Sequence, residues 1–339
     1  MATYSTAQSQ AVREPDFSTL LLPVQQKSMF QENGYYVWCG SMIRTADGVC
    51  HLFYSRWPKS KGFNGWATDS EIAHATAEQP LGPYTFKNVV LAKRHKKYWD
   101  ADVTHNPTVL KFGNKYYLYY MGNYGDGTFW DHRNHQRIGV AVAKSLDGPW
   151  KRFDKPVVDT TADSWDHLMT SNPSVTQRAD GKYLIVYKGV SAGEMPRGGK
   201  VSHGAAISDS PTGPFLKRPG TIFDYPGSRF AAEDPFIWRQ DGRYFAIVKD
   251  MKGDFTKAGT SLALFTSEDG FSWRLTSHPL VSGLTLEWEG GAREKVRRLE
   301  RPQLWLDKGR PAVLFVAIKR SDSVTCNVAI PLKNVNQNK

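Results

Sequence analysis

The sequence predicts an all-β protein, a five-bladed β-propeller of four-stranded antiparallel blades with an active-site funnel at its central axis. Three observations carry this. Five segments of one pattern recur at near-equal spacing, each places a turn signal between apolar runs, and no long amphipathic helical period occurs in the 339 residues.

The repeats read "CGSMIRTADGVCHLFYSRW" from Cys39, "HNPTVLKFGNKYYLYYMGN" from His105 and "SNPSVTQRADGKYLIVYKG" from Ser171. The last two are "EDPFIWRQDGRYFAIVKDM" from Glu233 and "ERPQLWLDKGRPAVLFVAI" from Glu300. Anchored at Ser41, Pro107, Pro173, Pro235 and Pro302, they are 66, 66, 62 and 67 residues apart. In each, a short apolar segment leads to Asp-Gly, Gly-Asn or a related pair, the signal of a hairpin, and then to an aromatic, β-branched run. A third strand follows, ending in the recurring tails "AEQPLGPY", "SLDGPW", "SDSPTGPF" and "SEDGFSW", whose Gly and Pro suit the turn into a fourth strand. Repeated four-stranded units of this size are propeller blades.

The fifth unit is short, with only "SVTCNVAIPL" after "AVLFVAI". A ring must close, so residues Ser18 to Val24 are expected to complete or cover that blade. This divides the chain into an arm over 1–30 and a single catalytic propeller over 31–339.

Composition narrows the partners. Charged residues are 23% and hydrophobic residues 40%, the balance of a globular protein. No run of eighteen apolar residues is present, so no membrane span is expected, and the first residues show no signal-peptide core. Three cysteines make no disulfide framework, and without CxxC or HExxH neither metal nor cofactor is expected, an ion in the central channel aside. A net charge of +11 favours an anionic partner. No nucleic-acid motif is evident, whereas eleven tryptophans suit a carbohydrate. Nothing specifies an oligomeric state.

In a propeller the first strand of each blade lines the axis. The polar residues before the anchor column should therefore converge: Cys39 and Gly40, His105 and Asn106, Ser171 and Asn172, Glu233 and Asp234, Glu300 and Arg301. Trp38, just before the first pair, offers an aromatic face to a sugar. The alternative is that these residues only cap local turns. A second motif, W-D-x-x-x-T-x-N-P, occurs at Trp99 and Trp165. Its Asp100 and Asp166 either feed the funnel or order a turn beside a packed Trp. Lys188 and Lys249 close the second strands of successive blades, with Arg56 one step further on in its own. They either bind an anionic ligand group or reach past apolar surface to solvent.

These patterns resemble the five-bladed propeller glycoside hydrolases of families 43, 32 and 117 over residues 35–335. "EDPFIWRQDGRYFAIV" is similar to the family 43 segment whose Glu-x-Pro carries the general acid, and the resemblance implies that role for Glu233. Alternation along a strand lets one of Glu233 and Asp234 face the sugar, leaving Asp234 to orient a neighbour. The general-base aspartate of those families maps onto Gly40 and their third-blade aspartate onto Asn172, so both carboxylates are absent. Asp100, Asp102 and Asp166 are then the nearest acids, and family 117, which allows a histidine as acid, adds His105. More distantly, family 130 phosphorylases share an "EDP" segment and bind phosphate with cations, a role open here to Lys188, Lys249 and Arg56.

The expected function is an exo-acting, inverting glycoside hydrolase releasing a terminal, anionic or otherwise modified sugar. Asp100, Asp166 and His105 join Glu233 as catalytic candidates. The substrate-binding candidates are Asp234, Glu300, Arg301, Asn106, Asn172, Lys188, Lys249, Arg56 and Trp38. A glycoside phosphorylase and a noncatalytic carbohydrate-binding propeller are the other readings.

Overall fold

The computed structural model describes residues 14–333. Five four-stranded antiparallel sheets follow one another along the chain. Blade one comprises Tyr35–Arg44, Cys50–Pro58, Glu71–Ala77 and Thr85–Leu91; blade two Val103–Phe112, Lys115–Asn123, Arg137–Ala143 and Lys151–Arg152. Blade three is Met169–Gln177, Tyr183–Val190, Val201–Ser208 and Leu216–Lys217; blade four Ala232–Gln240, Arg243–Asp250, Ser261–Ser267 and Arg274–Ser282. Blade five takes Arg298–Asp307, Arg310–Lys319 and Thr325–Pro331 from the far end of the chain, and Met29–Phe30 as its fourth strand. The first strand of each blade contacts the first strands of both neighbours, so these five line the axis and close the ring.

The turn chemistry explains the hairpins. Asp241–Gly242 and Lys308–Gly309 adopt consecutive left-handed residues, φ 50° and 82°, and 48° and 79°. That is the two-residue turn whose twist matches its flanking strands. The core lies between facing blades. Tyr117 and Tyr119 of blade two, for example, pack in one cluster with Ile185 and Tyr187 of blade three.

The arm docks on the last two blades. Asp16 caps a four-residue helix, Phe17–Leu20, by accepting from Ser18 N at 3.0 Å. Phe17 and Val24 are fully buried in the cluster shared by blades four and five. Burying a side chain such as Phe17 is worth roughly 1.5–3 kcal/mol. Leu21 bridges Leu332, Leu22 N donates to Pro331 O at 3.0 Å, and Val24 bridges Trp288. The segment Ser18–Val24 thus runs beside the blade, and the pairing strand is Met29–Phe30, in register with Val328 and Asn327.

No helix among the described residues is long and apolar enough to cross a membrane.

Candidate active site

Each first strand carries the same irregularity. Pairing with the second strand skips between Trp38 and Ser41, His105 and Thr108, Ser171 and Ser174, Glu233 and Phe236, and Glu300 and Gln303. Inside each skip one non-glycine residue is left-handed: Cys39, Asn106, Asn172, Asp234 and Arg301, all at φ 53–55°. Proline follows in four blades because a bulge frees that position from donating to the ladder.

This geometry corrects the first blade's alignment by one residue. Gly40, not Ser41, occupies the proline column, and Cys39, not Gly40, stands where blades two to five place Asn106, Asn172, Asp234 and Arg301. The column two before proline is therefore Trp38, His105, Ser171, Glu233 and Glu300. The same slip explains Arg56. Ser55 pairs with Trp38 as Lys188 pairs with Ser171 and Lys249 with Glu233, so Arg56 points to the other face of its sheet. There it binds Glu32 at 2.7 Å and Glu71 at 2.9 Å, between the rings of Tyr35 and Phe86.

The five left-handed residues form a buried chain of polar contacts across the axis. Asn106 Nδ2 donates to Asn172 Oδ1 and Asn172 Nδ2 to Asp234 Oδ1, both at 2.7 Å. Arg301 donates through Nη1 to Asp234 Oδ1 at 3.3 Å and through Nε to Cys39 Sγ at 3.0 Å. Left-handed backbone at non-glycine positions costs about 1–3 kcal/mol each, and the shared contacts offset it. Burial, against the pull of Arg301, pushes the Cys39 thiol up to about 11, so it stays protonated. Burial and the neighbouring Glu233 carboxylate push Asp234 up to about 6.

Above this layer lies a cavity of about 120 Å³ lined by residues from all five first strands. One wall is aromatic: Trp38, Trp57, Phe63 and Trp66, the last two from the connection between the second and third strands of blade one. His105 stacks on Trp66, with centroids 5.5 Å apart, and its Nδ1 meets Ser70 Oγ at 2.7 Å. Burial, then the Arg301 and Lys188 charges, hold His105 well below its usual value, hence neutral.

The opposite wall is a line of alternating charges. Lys188 Nζ is 2.8 Å from Glu233 Oε1, and Lys249 Nζ is 3.6 Å from Glu233 Oε2 and 2.6 Å from Glu300 Oε1. Arg298 Nη1 ends the line 3.2 Å from Glu300. Burial raises the Glu233 carboxyl, but Lys188 and Lys249 outweigh it and hold Glu233 down at about 2. Both glutamates are thus supplied by neighbouring blades and joined through one ammonium.

Trp38, His105, Asn106, Asn172, Lys188, Glu233, Asp234, Glu300 and Arg301 all line the cavity, with Lys249 bonded just behind the glutamates. Asp100 and Asp166 do not line it. Each lies fully buried within its own blade, tying a second-strand tyrosine to a fourth-strand cation. Asp100 accepts from Tyr120 Oη at 2.7 Å and faces Arg152 at 3.4 Å and Arg94; Asp166 accepts from Tyr187 Oη at 3.0 Å and Lys217 Nζ at 2.5 Å. Their tryptophans lie flat against glycines of the second and third strands, Trp99 on Gly122 and Gly139, Trp165 on Gly189 and Gly204. Asp102 serves the turn at Gly125, whose N–H it accepts at 3.2 Å.

Trp57, Phe63, Trp66, Gln136 and Arg298 line the cavity without having been singled out in the sequence. "FNGW", an aromatic cluster inside a long connection, was a usable signal for two of them, while Gln136 sits in no motif. Three buried atoms of lining residues lack protein partners: Asn106 Oδ1, Gln136 Nε2 and Arg301 Nη2. Such groups are the natural contacts of a polar ligand. Away from the cavity, His51, His74 and Asp147 come close enough to share an ion, but Lys87 already stands 2.5 Å from Asp147.

The fold and cavity define a five-bladed β-propeller with a polar site at the meeting point of its blades. No protein-family model matches the chain, and no curated protein matches its sequence. Solved structures of the same architecture do. One is Zg3597, a family 117 glycoside hydrolase of the marine bacterium Zobellia galactanivorans, at 18% identity and TM-score 0.62, covering 94% of this chain and 91% of that one. BT0996, solved as a complex with RGII, aligns at 15% identity and TM-score 0.65, covering 95% and 92%. The GH43 endo-arabinanase from Bacillus licheniformis aligns at 16% identity and TM-score 0.59, covering 91% and 97%. At these identities the likeness establishes the fold.

Proposed function

We propose that this protein is a glycoside hydrolase acting at chain ends, with Glu233 and Glu300 as its reacting carboxylates. One observation carries the reading: two glutamates from adjacent blades line a cavity faced by tryptophan and share Lys249 behind them. Glycosidic cleavage needs two carboxyl groups flanking the bond and a surface for the sugar ring. The structural neighbours that are glycoside hydrolases support the same class. A cavity, rather than a groove across the blades, supports exo action.

Glu233 keeps the proton-donor role implied by its motif. Its two lysines hold it ionised, so an incoming sugar has to displace Lys188 before Glu233 takes up the proton that it delivers. Glu300, held by Lys249 and Arg298, is the second carboxylate. The nearest oxygens of the pair can be no further apart than the 3.6 and 2.6 Å arms to Lys249 laid end to end. Inverting enzymes hold their carboxyls about 6.5–9.5 Å apart to admit water. That bound applies to the nearest oxygens only, and the anomer first formed decides between the inversion expected from the sequence and retention. His105, neutral and stacked on Trp66, is positioned to contact the sugar. The cations a phosphorylase would use for phosphate, Lys188, Lys249 and Arg56, each have a carboxylate partner, and nothing favours that reading.

The test is release of monosaccharide from acidic and neutral oligosaccharides by wild type and Glu233→Gln, with and without phosphate, following the anomer first formed by NMR. Phosphate-independent release that Glu233→Gln abolishes supports the proposal. Saturable binding without release by either protein sinks it in favour of a noncatalytic propeller.

A further inference from the structure

Blade one differs from the other four at two buried positions. Four residues before the second-strand partners of His105, Ser171, Glu233 and Glu300 stand Tyr117, Leu184, Phe245 and Val313. The same count back from Ser55, the partner of Trp38, gives His51. On the third strand, where those blades place Val140, Ala205, Leu264 and Ala329, blade one has His74, paired with Phe53. All ten residues are buried, and eight are apolar. Packing alone therefore does not call for imidazole at either place.

The two histidines lie on one face of the sheet, with ring centroids 5.0 Å apart and His51 Nδ1 2.9 Å from His74 Nε2. Phe53 stacks flat against His74 at 4.6 Å. The other ring nitrogen of His74, Nδ1, has no hydrogen-bond partner among the described residues, although the side chain is fully buried. An unpaired buried nitrogen costs stability that a phenylalanine there would not. It is also the ligand atom that His74 can offer without breaking its bond to His51.

That nitrogen faces the next blade. Asp147, in the turn between the third and fourth strands of blade two, places Oδ1 4.0 Å from it. Zinc bonds of about 2.0–2.1 Å to nitrogen and 2.0–2.2 Å to oxygen together span such a gap. One ligand atom from each of His51, His74 and Asp147 lies within 4.8 Å of the other two. Lys87 Nζ holds Asp147 at 2.5 Å, but the two side chains are 42% and 56% exposed. A pair so open to water is weak, and a divalent ion held by two imidazoles displaces the ammonium.

We propose that His51, His74 and Asp147 form a site for a divalent transition-metal ion such as zinc, which clamps blade one to blade two away from the cavity. Two imidazoles and one carboxylate select such an ion over calcium or magnesium, which take oxygen ligands. Asn88, opposite His74 in the fourth strand, is near enough to add its amide oxygen. The ion satisfies the unpaired nitrogen and ties the second and third strands of one blade to a turn of the next. Its role is structural, and the site does not depend on the glycosidase reading.

The experiment is calorimetric titration of the full chain, freed of metal with a chelator, with zinc chloride and with nickel chloride, alongside thermal melting. Wild type is expected to bind zinc at a single site and to melt at a higher temperature when loaded, since the ion binds the folded chain. His74→Phe, which keeps a ring against Phe53, should abolish that binding. Asp147→Asn should weaken it at least about tenfold. Lys87→Met removes the competing ammonium and should tighten it about two- to fivefold. Asp147 and Lys87 are exposed, so these two variants decide the matter even where His74→Phe fails to fold. Binding of neither ion, or binding that Asp147→Asn leaves unchanged, overturns the site.

Discussion

Lys188 Nζ sits 2.8 Å from Glu233 Oε1, across the boundary between the third and fourth blades. The contact decides the protonation state of the residue on which the proposed chemistry depends. Replacing Glu233 with Gln should lower sugar release by about 10²–10⁴-fold, the usual share of a general acid. Initial rates, normalised to folded protein, would show it; release equal to wild type removes Glu233 from the chemistry.

Lys188→Met leaves Lys249 as the one ammonium beside Glu233, and the carboxyl should rise from about 2. A proton donor whose pKa rises stays protonated to higher pH. The alkaline limb of kcat/KM is therefore expected to move upward in Lys188→Met. A limb that stays in place would mean that another group sets it.

Asp100→Asn separates scaffold from chemistry. It leaves Arg94 and Arg152 without their buried carboxylate, and losing one partner of such a cluster costs about 3–5 kcal/mol. Urea unfolding should show this loss while kcat per folded molecule stays at the wild-type value. Lost turnover with intact stability would return Asp100 to the catalytic candidates.

Stability should fall between pH 7 and pH 5. Burial holds His74 at about 4, His203 at about 3 and His105 well below 6.5, so unfolding below pH 6.5 takes up protons that the native state refuses. Their contribution is complete above pH 6.5 and is lost as pH falls. Asp234 acts in the opposite sense. Its native carboxyl lies near 6 against 3.8 unfolded, so its contribution is lost as pH rises through that window. Three histidines outweigh one aspartate, and the urea midpoint should be lower at pH 5. A midpoint that rises would mean the histidines protonate within the native fold.

The blades were legible because proline and glycine mark geometry that other residues adopt at a cost. Pro107, Pro173, Pro235 and Pro302 report the bulge directly. Blade one has no such marker: Gly40 takes the proline column and Cys39 the left-handed position, and neither type announces it. One residue of slip was enough to turn Arg56 to the wrong face and to leave Ser55 unnoticed. Asp100 and Asp166 misled for a different reason. A Trp-Asp pair near Asn-Pro looks the same whether it faces a ligand or a glycine, and only the packing on Gly122 and Gly189 distinguishes the two.

The pairing of Met29–Phe30 with Thr325–Pro331 also has a consequence in time. During synthesis Met29 leaves the ribosome about 300 residues before its partner Val328. Four blades can form as they emerge, but the fifth cannot be finished until Thr325–Pro331 has emerged. Until then Met29–Phe30 has no fixed neighbour, and an unpaired strand is open to pairing with another molecule. Phe17 and Val24, seated in the cluster of the last two blades, act as the latch that ends this interval.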